Sequence, residues 1–196
     1  MPNRRLGYLL LALSLQYFVV QGWAASRWPH PYRWGEDAIS DLGNTVCGTY
    51  QGRDVCSPLH ALMNGSFIVL GITMILGSLL LLKRSPVGFG LYGAAGVGTI
   101  LVGLAPENIN GSLHFVGAGL AFVCGNLALL VLGLGKIPWR GLALGLGLLG
   151  LDSLLLFANG VYLGLGYGGM ERVVAYPQTV WAVVFGVYGL VKRDFT

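Results

Sequence analysis

Residues 59–82 read LHALMNGSFIVLGITMILGSLLLL, a run with no Asp, Glu, Lys or Arg that ends directly on Lys83 and Arg84. As a helix rising 1.5 Å per residue it reaches about 36 Å, more than the hydrocarbon core of a bilayer. Working outward, five further stretches meet the same criterion. With this one they lie at about 6–25, 59–82, 88–105, 113–134, 141–163 and 173–191. Together they take up most of the 196 residues, so the sequence predicts an all-α polytopic membrane protein, a single six-helix bundle over residues 1–196 with no separate soluble domain. Strands of a membrane barrel would be about 10 residues long with alternating polarity, which these continuous runs are not. The composition agrees: 55% of residues are hydrophobic, 10% are charged, and mean hydropathy is +0.69. This excludes an ordinary soluble enzyme and a disordered chain.

The charges assign the two sides. Arg4, Arg5, Lys83, Arg84, Lys136, Arg140, Lys192 and Arg193 fall at one set of span ends, and Arg27, Arg33, Arg53 and Arg172 at the other. Basic short loops stay in the cytoplasm, so both termini are expected inside, in the plasma (inner) membrane, with the long loop 26–58 on the extracytoplasmic side. Glu36, Asp37, Asp41, Asp54, Glu107 and Glu171 share that outer side with all three histidines, while Asp194 is inside. The net charge of +4 is thus distributed over membrane edges, not gathered in a patch for nucleic acid. The first span has the basic start and small residues of a signal peptide. It is read as a retained span; without it, five spans would put the termini on opposite sides.

Cys47 and Cys56 lie in the outer loop, where a disulfide would persist; free thiols or half of a metal site are the other readings. Cys124 reads as a small packing residue. Glycine is over-used, with 32 residues. The clusters in the third and fifth spans, with Gly141 and Gly145 a small-xxx-small pair, predict closely packed interior helices. The same glycine faces could dock a protein partner or a second copy. Trp23, Trp28, Tyr32 and Trp34 read as an outer aromatic belt, and Trp139 as an inner anchor.

The polar residues worth weighing sit at the outer ends. His60 and Asn64 share a face at the start of the second span. Glu107 ends the third and His114 opens the fourth. Asn126 lies about 120° round from His114, and Glu171 and Arg172 precede the sixth span. Beneath a loop carrying Asp41, a bundle could gather His60, His114, Glu107 and Asp41. Such a set suits zinc or another divalent metal, with a metal-bound water as nucleophile, or general acid–base work without one. No HxxxH, HExxH or CxxC spacing supports the metal. Arg172 could hold a phosphate or carboxylate. Asp152, inside the fifth span and nearly on one face with Asn159, should face the interior and find a partner such as Asn126, Ser78 or Thr99, or serve as a proton or ion site.

Several of these elements resemble a family of small prokaryotic membrane proteins, domain of unknown function 998. They are Ile39-Ser40-Asp41-Leu42-Gly43, Ser57-Pro58, and Gly103-Leu104-Ala105-Pro106-Glu107-Asn108. His114 with Ala121-Phe122 and Gly125-Asn126, and Gly169-Met170-Glu171-Arg172, complete the set. The resemblance spans nearly the whole chain. It implies a six-helix bundle, distantly similar to the Frag/DRAM/Sfk superfamily, and membrane lipid as a partner; it implies no reaction. The cysteine-bearing loop departs from the pattern. Three functions follow as expectations: a lipid-modifying hydrolase or transferase, or lipid-binding protein, with an outer polar pocket; a non-catalytic accessory subunit; or a small transporter using Asp152, for which no internal repeat speaks.

Overall fold

Each apolar stretch forms helix in the computed structural model, which describes residues 2–192. Arg193 and Asp194 lie outside the described residues. The first crossing is made by α1 (Pro2–Ala12) and α2 (Leu15–Ser26), and the others by α3 (His60–Leu81), α4 (Pro86–Leu104), α5 (Gly111–Leu134), α6 (Arg140–Ala158) and α7 (Gly166–Val191). By length and hydropathy there are six crossings among the described residues, the first running Arg4–Ser26. The chain is an integral membrane protein of helical-bundle class. Large apolar side chains such as Leu79, Val116 and Leu155 stay exposed on the outer surface, as a lipid-facing wall requires.

Three boundaries differ from the sequence reading. The first span is broken at Leu13–Ser14, where the backbone tightens to bonds three residues back: Ser14 N–H to Leu11 O, Gln16 N–H to Leu13 O and Tyr17 N–H to Ser14 O. The fifth span stops at Ala158, because Asn159 and Gly160 (φ +71°) turn the chain. The last helix begins at Gly166, so Glu171 and Arg172 stand in its second turn rather than ahead of it.

Each crossing packs on the next in sequence, with α1 and α2 both against α3, and α7 closes the ring against α1. Both described chain ends are at the basic end of the bundle, opposite the long loop. An aromatic column fills the centre. Trp181 and Phe185 stack at 4.8 Å, Phe185 meets Tyr8, and the Tyr92 hydroxyl donates across the bundle to Gln178 O at 3.1 Å. Four of the α4 glycines, Gly88, Gly96, Gly98 and Gly103, behave as expected, while Gly90 faces open space. A methyl on Gly96 would meet Gly71 O and one on Gly98 would meet Gly117 O and the Ala121 amide, so backbones touch on both sides. The fifth span does not. Only Gly147 and Gly150 of α6 face inward, while Gly141 and Gly145 point away from the bundle.

The outer loop is built on a short 3₁₀ turn (Ser40–Gly43) and a hairpin, β1 (Gly48–Tyr50) and β2 (Arg53–Val55). Gln51 and Gly52 both have positive φ, as a two-residue hairpin turn demands. Cys47 and Cys56 are bonded across its base.

Because Gly117 O and the Ala121 amide cannot retreat, Gly98→Ala should destabilise the protein by about 1–3 kcal/mol, the usual cost of overpacking. Gly90→Ala, which meets nothing, should be neutral or better. Thermal unfolding of both variants in detergent checks this, and equal midpoints would contradict the backbone contact.

Candidate functional site: a buried polar network above an intramembrane cavity

The 3₁₀ turn lies at the centre of the site. Its Asp41 carboxylate is fully buried and accepts the Ala38 amide at 2.7 Å. It also takes a two-pronged bond from Arg53, Nε at 2.8 Å and NH2 at 2.9 Å. The hairpin register delivers that guanidinium: Tyr50 and Arg53 are cross-strand partners and so share a face. The Tyr50 hydroxyl donates to Glu107 O at 3.0 Å, and Arg53 covers the Tyr167 ring. The carbonyls that end the turn are also held, Leu42 O by Ser57 Oγ (2.7 Å) and Gly43 O by Asn64 Nδ2 (2.9 Å).

Glu107 stands beside Asp41 in the α4–α5 connection and accepts Asn44 Nδ2 at 3.2 Å. Burial and then the neighbouring Asp41 charge push its carboxyl up to about 8. At neutral pH Glu107 therefore keeps its proton and donates it to Asp41, and Arg53 balances the charge that remains.

On the other side of the same turn, Ser40 Oγ lies 3.0 Å from His114 Nε2 and 3.0 Å from Glu171 Oε1. Glu171 Oε2 accepts the Ile39 amide at 2.6 Å. His114 Nδ1 lies 2.9 Å from Ala105 O. A carbonyl oxygen only accepts, so Nδ1 carries hydrogen. In the neutral ring Nε2 is then a lone pair aimed at the serine hydroxyl. His114 and Glu171 are both buried, while Ser40 is half-buried.

Ser40 and Glu171 form the roof of a slender, partly open cavity of about 50 Å³. Its walls are apolar (Tyr17, Phe67, Leu70, Met74, Val102 and Phe122 among them), with Thr99, Gln178 and Thr179 deeper in. Eight residues of α7 separate Glu171 from Thr179, so the space runs down about 12 Å of helix. Gln178 is buried there with Oε1 unpartnered.

The structure brings Asp41, Glu107, His114 and Glu171 into one network and leaves other expected members elsewhere. His60 Nδ1 faces Ser57 O at 2.9 Å. With that ring turned to its own first turn and both His114 nitrogens engaged, the expected metal set is not assembled; among the described residues no three His, Cys, Asp or Glu are placed to hold a metal ion. Arg172 is a loop clasp. Its NH1 donates to Trp34 O, Asp37 O and Gly168 O, its NH2 reaches Tyr32 Oη, and it lies against the Tyr32 and Trp34 rings. Trp28, Tyr32 and Trp34 belong to this packing, and Trp23 and Trp34 stay exposed as belt residues should be. Asn126 Nδ2 ties α5 to α7 through Val174 O at 3.1 Å. Asp152 is exposed on the outer face of α6, six residues from the helix end, and the interior partnership expected of it is not made.

A family model described as "Protein of unknown function (DUF998)" matches residues 10–188. The chain belongs to this family. No curated protein and no solved structure gives a significant match. In this DUF998 chain the sequence alone gives Ser40 no role and gives Tyr32 only that of a belt residue. Ser40 was visible within the Ile39–Gly43 motif, yet its partners lie 74 and 131 residues away. Arg53 was read only as a topology charge.

Glu107 also sets a pH dependence. Its carboxyl titrates near 8 in the folded chain and near 4.5 when unfolded. Between those values the folded state holds the extra proton, so stability should fall as pH rises from about 4.5 to 8 and then level. Unfolding midpoints from pH 5 to 9 should show this decline in the parent and a flatter profile in Glu107→Gln. Identical slopes would refute the assignment.

Proposed function

We propose that this protein receives a membrane amphiphile at its extracytoplasmic face, with the hydrocarbon portion in the cavity and the polar group at Ser40, His114 and Glu171, as a lipid-modifying or lipid-binding protein. The observation that carries this reading is the juxtaposition of one buried polar line with one apolar shaft. The cavity extends along α7 from Glu171 to Thr179, most of its lining is apolar, and its roof supplies a donor–acceptor set at Ser40 and Glu171. The side is argued from charge. Seven described basic residues, Arg4, Arg5, Lys83, Arg84, Lys136, Arg140 and Lys192, crowd the opposite end, and the Cys47–Cys56 disulfide suits an oxidising compartment.

Native mass spectrometry of protein extracted in mild detergent should detect a retained amphiphile. Ala118→Phe, which plugs the cavity wall, should lower its occupancy at least tenfold while the unfolding midpoint stays within a few degrees. Equal occupancy in the plugged variant would overturn the reading.

A second reading, as a subunit of a larger membrane assembly, is favoured by the outer face of α6. Gly141, Gly145, Leu148, Asp152, Leu155 and Asn159 are all exposed. At about 100° per residue they fall within roughly 40° of one line. A carboxyl facing lipid is costly and is relieved by a partner. Single cysteines placed at Gly145 and Leu148 should crosslink to a neighbouring chain in membranes, whereas cysteine at Leu79, on the exposed side of α3, should not. Equal yields at both faces would remove this reading.

A further inference from the structure

We propose that Ser40 is a nucleophile and His114 its general base, and that the substrate class is a carboxylic ester of an amphiphile; this rests on the amphiphile reading above. Three observations point there together. Ser40 Oγ is 3.0 Å from His114 Nε2, within reach for direct proton transfer. The base is oriented by a third group, because Ala105 O holds Nδ1–H at 2.9 Å and leaves Nε2 free to accept. The hydroxyl itself belongs to a half-buried residue at the roof of an apolar shaft, where an ester carbonyl attached to a hydrocarbon chain would be presented.

Hydrogen counting identifies the competent form. The line Glu171 Oε1, Ser40 Oγ, His114 Nε2 contains two hydrogen bonds and therefore two hydrogens. One is the serine's own. The other is on Glu171 or on Nε2, and only with it on Glu171 does Ser40 donate towards Nε2. In that form Ser40 Oγ attacks the ester carbonyl carbon and its proton passes to Nε2. The tetrahedral adduct collapses, the carbon–oxygen bond to the alcohol breaks, and the departing alkoxide takes the proton from Nε2. Water, or an acceptor alcohol, then adds to the acyl-serine and gives its proton to Nε2. The Oγ–acyl bond breaks, and that proton returns to Ser40. Glu171 is a positioning residue: it fixes the hydroxyl through Oε1 and the turn through the Ile39 amide.

A serine that merely staples the loop to the bundle has no reason to react with an electrophile, so covalent capture separates the two roles. Full-length protein in detergent is treated with a long-chain alkyl fluorophosphonate and followed by intact mass and peptide mapping. The phosphonyl adduct is expected on Ser40, absent in Ser40→Ala. In His114→Asn the amide nitrogen can keep the donor to Ala105 O, but no base faces Ser40, so the labelling rate should fall at least 100-fold. Glu171→Ala, which loses both holds, should slow labelling at least tenfold, and Glu171→Gln, able to donate to Ser40, should restore it. No adduct on Ser40, or an adduct formed equally fast in His114→Asn, overturns the proposal. Amphiphile retention is measured on the same samples. A retained amphiphile without an adduct removes the nucleophile and leaves the binding reading standing; an adduct without retention supports the nucleophile and removes the binding reading.

Discussion

The Asp41–Arg53 pair is the interaction on which the loop end of the molecule depends. A carboxylate with no exposed surface is costly unless its lone pairs are filled, and removal of one partner from such a pair costs about 3–5 kcal/mol. Here the Arg53 fork and the Ala38 amide fill them. The hairpin that carries Arg53 is anchored by its disulfide and by Tyr50 on the Glu107 carbonyl. Successive residues in a 3₁₀ turn point about 120° apart. Fixing Asp41 towards the hairpin therefore fixes Ser40 towards the cavity. One ion pair thus sets the direction of a hydroxyl that it never touches.

A second constraint is burial. Irregular backbone shut away from water persists only where protein groups satisfy its N–H and C=O. That requirement accounts for a set of side chains that would otherwise pass for ligand-binding residues. Ser57, Asn64 and Arg172 each take loop carbonyls, Glu171 takes an amide, and Tyr32 donates to the carbonyls of Asp37 and Ala38. Arg172 is instructive: its forked end, suited to phosphate in the abstract, is directed at three carbonyl oxygens and a phenol. The same logic explains why Asn64, Glu171 and Arg172 come from the N-terminal ends of α3 and α7, the helix ends that reach loop height, while Tyr32 and Ser57 come from the loop itself.

The spans were legible because hydropathy over about 20 residues is a coarse sum, and no single residue can overturn it. What failed was decided by single residues or by distant ones. Gly160 ends α6 early, which places Asp152 six residues from the helix end, and the packing of α6 on α5 and α7 leaves it on the outer face. The α6 glycines looked like packing glycines, yet spacing gives a shared face without saying which way that face points; Gly133 and Asn126 of α5 meet Leu144, Gly147 and Gly150 instead. His60 and His114 were equivalent in the sequence, both near the start of a span. They separate only because Ala105, at the end of α4, stands next to α5 and offers its carbonyl to His114. The Asp41, Glu107, His114 and Glu171 group was legible as four polar residues at one depth. The serine that joins half of them was not, since a loop hydroxyl has no periodicity to betray it.

The charge balance of the loop end connects these levels. The Arg33 side chain, itself half-exposed, pairs with Asp37, and Arg53 pairs with Asp41. Glu107 keeps a proton, so Asp41 and Glu107 together present one negative charge to one guanidinium. Arg172 has its charge dispersed over carbonyls and aromatic faces rather than set on a carboxylate. Among the described residues, the titratable groups at the cavity roof left to exchange a proton are then Glu171 and His114, with Ser40 between them. In a site walled by hydrocarbon and capped by a loop, that proton has two resting places within one hydrogen-bonded line and does not need bulk water to pass from one to the other. That separates the Ser40 line from the clasps around it. This line has two arrangements of its hydrogens, and moving between them changes whether the hydroxyl or the imidazole is the donor.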